Sequence, residues 1–136
     1  MIPRLSPSES TPKFVQNFLE VLSKSEFSGD IHHDNGVRLV TATDNSIYQV
    51  LPQAVVFPKN SRDIQTVLKI ADQQRFSKSI KITARGGGTG TNGQSLTEGI
   101  VLDCSRYMNR IIESNFKEGW GCVEPGGVLD QLNEHL

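Results

Sequence analysis

The chain has only two cysteines, one tryptophan and no apolar run near the ~20 residues that cross a bilayer as a helix. Cys104 and Cys122 sit within apolar stretches, not at metal or disulfide spacings, so a disulfide framework and a cysteine metal site are both excluded. Two reduced, buried thiols in a cytoplasmic protein are expected instead. Lys and Arg number 14 against 15 Asp and Glu, and with no basic excess nucleic acid is not an expected partner. The opening MIPRLSPSESTPK lacks the apolar core of a signal peptide. A length of 136 residues suits about one domain with a hydrophobic core of its own. There is neither an internal repeat nor a low-complexity linker.

What is present reads as an α+β pattern. Thr11 followed by Pro12 is a helix start, and Phe14, Val15, Phe18, Leu19 and Leu22 recur on one face of a 3.6-residue period, with Gly29 as the stop. A polar, turn-rich stretch comes next, with a short helix around Val37 to Thr41. Ala54 to Phe57 reads as a buried strand closed by Pro58. Asn60 and Asp63 have capping-box spacing ahead of a helix carrying Ile64, Val67, Leu68 and Ala71. Ile80 to Thr83 is the next strand, which completes a βαβ unit with parallel strands. Ile100 to Cys104 reads as a third strand, and residues 109–125 as a hairpin turning near Lys117 to Gly119. After PGG, the residues Val128, Leu129, Leu132 and Leu136 mark a helix without a stop signal, so the chain is expected to be part of something longer. Residues 1–50 form an N-terminal helical and turn-rich segment, and residues 51–136 hold the βαβ unit, the third strand, the hairpin and the last helix.

The sequence ARGGGTGTNGQS, residues 84–95, leaves the carboxyl end of the second strand, where ligands of parallel sheets bind. Gly88, Gly90 and Gly93 satisfy G-x-G-x-x-G, but that fingerprint needs a helix next, and only QSLTEG separates the loop from a strand. Residues 88–95 nearly spell a P-loop, yet Gln94 stands where lysine is needed and the helix is again missing. What remains is a loop rich in backbone N–H groups, with the Thr89 and Thr91 hydroxyls, Asn92 and one cation, Arg85. Such a loop suits an anionic linker held by amides. A connection without a ligand would need only one or two glycines.

Three stretches, DNSIYQVLPQAVVFPKNSRDIQTVLKIA, ITARGGGTGTNGQSLTEGIVLDCSRYMNRII and VEPGGVLDQLNEHL, resemble the first part of the PCMH-type (vanillyl-alcohol-oxidase-like) FAD-binding domain. Within that family the likeness is to FAD-linked D-2-hydroxyacid dehydrogenases of the D-lactate, glycolate oxidase D-subunit and D-2-hydroxyglutarate type. TDNSIYQ and RGGGTGTNGQ resemble the large bacterial fusions that carry an iron–sulfur region. The resemblance covers Thr43 to Leu136 well and the first forty or so residues loosely. It implies that Arg85, Gly86, Gly87, Gly88, Thr89, Gly90, Thr91 and Asn92 wrap the FAD pyrophosphate, with Gly93 shaping the turn. Some relatives attach flavin through a loop histidine. Here His32, His33 and His135 lie elsewhere, which implies non-covalent FAD. The resemblance further implies a D-2-hydroxyacid substrate and an acceptor that is an iron–sulfur region, a quinone or another carrier. It also allows a place peripheral to the inner membrane. Catalytic residues and any iron–sulfur cluster are expected outside this chain.

The remaining features read as structural. HHDN, residues 32–35, suits a solvated turn better than a metal site, and Asp44 to Ser46 an Asx turn or a helix cap. Trp120 reads as a packing residue. Asp103 and Glu124 read as isolated carboxylates, and no nucleophile–base pair is present. The competing class is a non-catalytic binding or interaction domain. Strands lacking neighbours would favour self-association of the chain by itself.

Overall fold

The computed structural model describes residues 10–115 and 117–135. Its elements are α1 (Lys13–Ser23), β1 (Asp30–His32), α2 (Asn35–Val40), β2 (Ala54–Phe57), α3 (Ser61–Ala71), β3 (Ile82–Arg85), β4 (Ile100–Asp103), β5 (Ile111–Asn115), β6 (Trp120–Val123) and α4 (Leu129–His135). The expected mixed architecture is present. A four-stranded sheet has the order β1-β2-β4-β3, and β5 and β6 form a separate hairpin. β4 pairs in parallel with both β2 and β3, aligning Val55 with Val101 and Arg85 with Asp103. β2 and β3 are therefore parallel, as expected, but β4 lies between them.

β2 and β4 are short, wholly buried and apolar in most positions, as strands covered on both faces must be. The pleat sends Ala54, Val56, Ile100 and Leu102 to one face, against Val15, Phe18 and Leu22 of α1 and Val67 and Ile70 of α3. Val55, Phe57 and Val101 face the other side, where Val37 and Tyr107 cover them. Three of the strands thus present their carboxyl ends together, with β4 in the middle.

Several sequence expectations need correction. Pro12, not Thr11, is the N-cap of α1, and no side chain caps there; the amides of Val15 and Gln16 bond to the Pro12 carbonyl. Phe14 is exposed. α1 ends at Ser23, well before Gly29, whose missing side chain instead lets the chain pass close to the Phe57 carbonyl. His32 is no turn residue. It ends β1, a strand too short and polar to show a pattern, and stacks edge-on against Phe57. In α3 the Asn60 cap holds, accepting from the amides of Arg62 and Asp63, but Ile70 is buried where Leu68 was expected. Asp63 turns inward and accepts from the Ser28 and Lys59 amides. β3 begins two residues later than expected. Cys122 and Trp120 are exposed rather than buried. Val128 and Leu129 are exposed, and Leu136 lies outside the described residues. No helix among the described residues is long and apolar enough to cross a membrane.

Candidate functional site

Residues 86–99 carry the chain from the carboxyl end of β3 to the start of β4 without helix or strand. Adjacent parallel strands require a connection spanning the length of the sheet. Here the glycine loop makes that crossing, so no helix N-terminus stands behind it. Both rejected phosphate-loop designs fail on this geometry.

The glycines differ in why they must be glycine. Gly88 and Gly93 have φ of 66° and 74°, the left-handed region. A side chain on Gly88 would also strike the Arg85 guanidinium, and one on Gly93 would come within 3.0 Å of the Tyr48 ring. At Gly86 a Cβ would lie 2.8 Å from the Pro125 carbonyl, and at Gly90 it would lie 2.5 Å from Gln94 Cδ. Gly87 is different. Its φ is not positive, it is exposed, and the nearest atom to an added Cβ is Thr89 Cγ2 at an ordinary 3.6 Å. Nothing inside the described protein requires glycine there.

Among the described residues, the amides from Gly86 to Thr91 make no hydrogen bond, whereas Asn92 donates to Gln94 Oε1 at 3.0 Å and Leu96 to the Gly93 carbonyl. Gly87, Thr89, Thr91 and Asn92 are exposed. The result is a run of unpaired donors on an open surface, with hydroxyls and an amide beside them. Such a run is a cradle for an anion with several oxygens.

Two other segments close on this loop. Residues 43–49 form a turn in which Asp44 accepts from the Ser46 amide at 2.8 Å, the expected Asx turn, and also from Ser95 Oγ at 3.0 Å. The Ser46, Ser95 and Arg85 groups around Asp44 hold its carboxyl below the usual aspartate value. The second segment, Pro125 to Gly127, was legible only as a chain break. Gly126 donates to the Met108 carbonyl at 2.8 Å, and its bare Cα rests against Cys104 and Ser105 at the end of β4. Arg110 fixes this segment by gripping Glu124 through Nε and Nη2, at 3.1 and 2.7 Å, while its amide bonds the same carboxylate. Glu124 is therefore paired, not isolated. So is Asp103, which accepts from the Ser105 amide and hydroxyl and lies 3.7 Å from Arg85 Nε. PGG preceding a helix was the available signal for this second wall.

Beyond Arg85, two more cations stand at the carboxyl ends of β2 and β4, each over an aromatic ring: Lys59 over Tyr107 and Arg106 over Phe57. Tyr107 donates to Asp30 at 2.6 Å, which lowers that carboxyl's pKa and raises the phenol's. A cavity of about 710 Å³ lies instead at the amino ends of the strands, lined by Arg38, Gln53, Lys81 and Glu98. That is the wrong end for the ligand of a parallel sheet.

Residues 52–136 match the FAD binding domain family. The chain belongs to that family. It is 51% identical, over all 136 of its residues, to a D-2-hydroxyglutarate dehydrogenase of Escherichia coli (strain K12), and 52% identical over 139 aligned positions to one of Pseudomonas putida. More distant is the mitochondrial cytochrome D-lactate dehydrogenase of Kluyveromyces lactis, at 38% identity over 62% of this chain. In the two closer alignments the FAD-binding chain covers 13% of the relative, and in the third 15%. Among solved structures, an alkyldihydroxyacetonephosphate synthase superposes on 98% of the chain, and the chain on 27% of it, with a TM-score of 0.71 and 17% identity, a likeness of fold alone.

Proposed function

We propose that Gly86 to Gly93 is the pyrophosphate cradle of an FAD site in a flavin-dependent D-2-hydroxyacid dehydrogenase. The observation that carries this reading is Gly87: no contact among the described residues requires glycine there, and its lack of a side chain leaves the amides on either side open to a ligand. The chemistry fits the group. Diphosphate oxygens are acceptors only, and the loop offers a run of unpaired backbone N–H donors from Gly86 to Thr91. The hydroxyls of Thr89 and Thr91 and the carboxamide of Asn92 extend the same set, while Pro125 to Gly127 walls one side.

FAD, when bound, would take a hydride equivalent from the hydroxyl-bearing carbon of the substrate and leave a 2-oxoacid. The high identity to D-2-hydroxyglutarate dehydrogenases supports that substrate class, with D-lactate as the second reading. The part played by this chain is to hold the cofactor by its linker. An iron–sulfur region, a quinone or another carrier would receive the electrons, and a cytoplasmic setting suits each. The exposed Ile112, Val128 and Leu129 support self-association when the chain stands alone.

The flavin is held without a covalent bond. Histidine, cysteine and tyrosine are all absent between Ala84 and Leu96. Acid precipitation of the full-length protein should leave flavin in the supernatant, and flavin that stays with the pellet would count against non-covalent attachment. A purified full-length protein with no flavin absorbance and no FAD uptake on titration would refute the wider reading.

A further inference from the structure

Arg85 is the one cation within the loop sequence, yet its guanidinium is turned back beneath the loop. Nη1 donates to the Thr43 carbonyl at 2.9 Å and lies 3.4 Å from Ser95 Oγ. Nε faces Asp103 Oδ2 at 3.7 Å, and Nη2 and Cζ fill the space that a Gly88 side chain would need. The side chain is only 12% exposed. Ser95 then hands the connection on to Asp44. One positive charge thus sits among two carboxylates, so the cluster is not a source of net attraction for an anion. Swinging the guanidinium outward would break its bond to Thr43 and leave the buried Asp103 without its counter-charge.

We propose that Arg85 is a positioning residue: with Ser95 and Asp44 it braces the glycine loop from behind, holding the amides of Gly86 to Thr91 in place without touching the anion. This rests on the reading of the loop as a pyrophosphate cradle. The planar fork matters more than the charge, because it must reach Thr43, Ser95 and Asp103 from one centre and lie flat under Gly88.

The test uses the full-length protein prepared without flavin, as wild type, Arg85→Lys, Ser95→Ala and the double variant. Proteinase K cleavage within residues 86–98, mapped by mass spectrometry, reads the opening of the loop. Arg85→Lys should speed cleavage there on the order of tenfold, the loss expected when a charged hydrogen bond is removed, with little change elsewhere in the chain. Ser95→Ala should speed it less, and the double variant no more than Arg85→Lys alone, because both act through one network. FAD affinity, measured by flavin fluorescence, should fall in the same rank order. Unchanged cleavage in flavin-free Arg85→Lys with weakened FAD binding would overturn the brace and make Arg85 a direct ligand. Strictly additive effects would overturn the shared network. Should Arg85→Lys not fold, Ser95→Ala decides: faster loop cleavage supports the brace and an unchanged rate rejects it. Wild type that takes up no FAD would sink the pyrophosphate reading while the cleavage result still decides the brace.

Discussion

Substituting valine for Gly87 separates binding from folding better than any other change in the loop. At Gly88 a side chain would bring left-handed backbone strain of roughly 1–2 kcal/mol and a collision with Arg85, so lost flavin could simply mean a damaged loop. At Gly87 neither applies: the nearest atom to a new Cβ is 3.6 Å away and φ is unremarkable. Replacing such a glycine shifts stability by ~1 kcal/mol or less, with the sign set by the unfolded chain. Binding is another matter. A branched side chain on the open face would keep phosphate oxygens from the Gly87 and Gly88 amides. Two charge-assisted hydrogen bonds at about 1.5–3 kcal/mol each give ~3–6 kcal/mol, roughly 10² to 10⁴ in affinity. Purified full-length Gly87→Val should therefore melt within a few degrees of the flavin-free wild type, yet carry little FAD by absorbance. Stoichiometric FAD in that variant would refute the cradle. A collapse in melting temperature of the flavin-free variant would refute the claim that Gly87 has no structural duty.

Glu124 and the two thiols yield further expectations. The Arg110 fork holds the Glu124 carboxyl below its usual value, so its contribution to stability is present above the ordinary glutamate pKa and lost as pH falls through the lowered one. Glu124→Gln should accordingly lower the melting temperature at neutral pH, and the gap to wild type should narrow in acid; a gap constant with pH would refute the ion-pair account. Cys122 is exposed, while Cys104 is buried and burial pushes its thiol pKa up. Brief iodoacetamide treatment of folded protein, mapped by peptide mass, should label Cys122 first, and equal labelling would show that the end of β4 is open.

The elements most legible in the sequence were those with the strongest local chemistry. Ala54 to Phe57 and Ile100 to Cys104 read as strands because a short, mostly apolar run between turn residues has few other outcomes, and the second strand ends one residue earlier than read, at Asp103. Asn60 announced α3 because its side chain bonds the amides two and three residues on. What stayed hidden depends on partners distant in sequence. β1 exists because Asp30 to His32 pair with Val55 to Phe57, and nothing in DIH signals that. The partners of Asp103 and Glu124 could not be read either, since Arg85 and Arg110 become neighbours only once β3 meets β4 and the hairpin closes.

The order of the strands explains why this chain carries so much glycine in one place. β4 enters between β2 and β3, so the chain leaving β3 must return along its own neighbour with no helix available for the crossing. A helix would have offered its N-terminal amides and dipole to an anion. Without one, the loop has to expose its own amides, and an extended run of exposed amides collapses on itself unless something holds its shape. Gly88 and Gly93 supply the turns, Tyr48 and Pro125 the walls, and Arg85 the support underneath. That leaves Gly87, where no contact among the described residues requires glycine. If Gly87 faces the diphosphate, alanine there should weaken FAD less than valine, because a single methyl removes less of the approach; equal affinity for all three would mean that the ligand lies elsewhere.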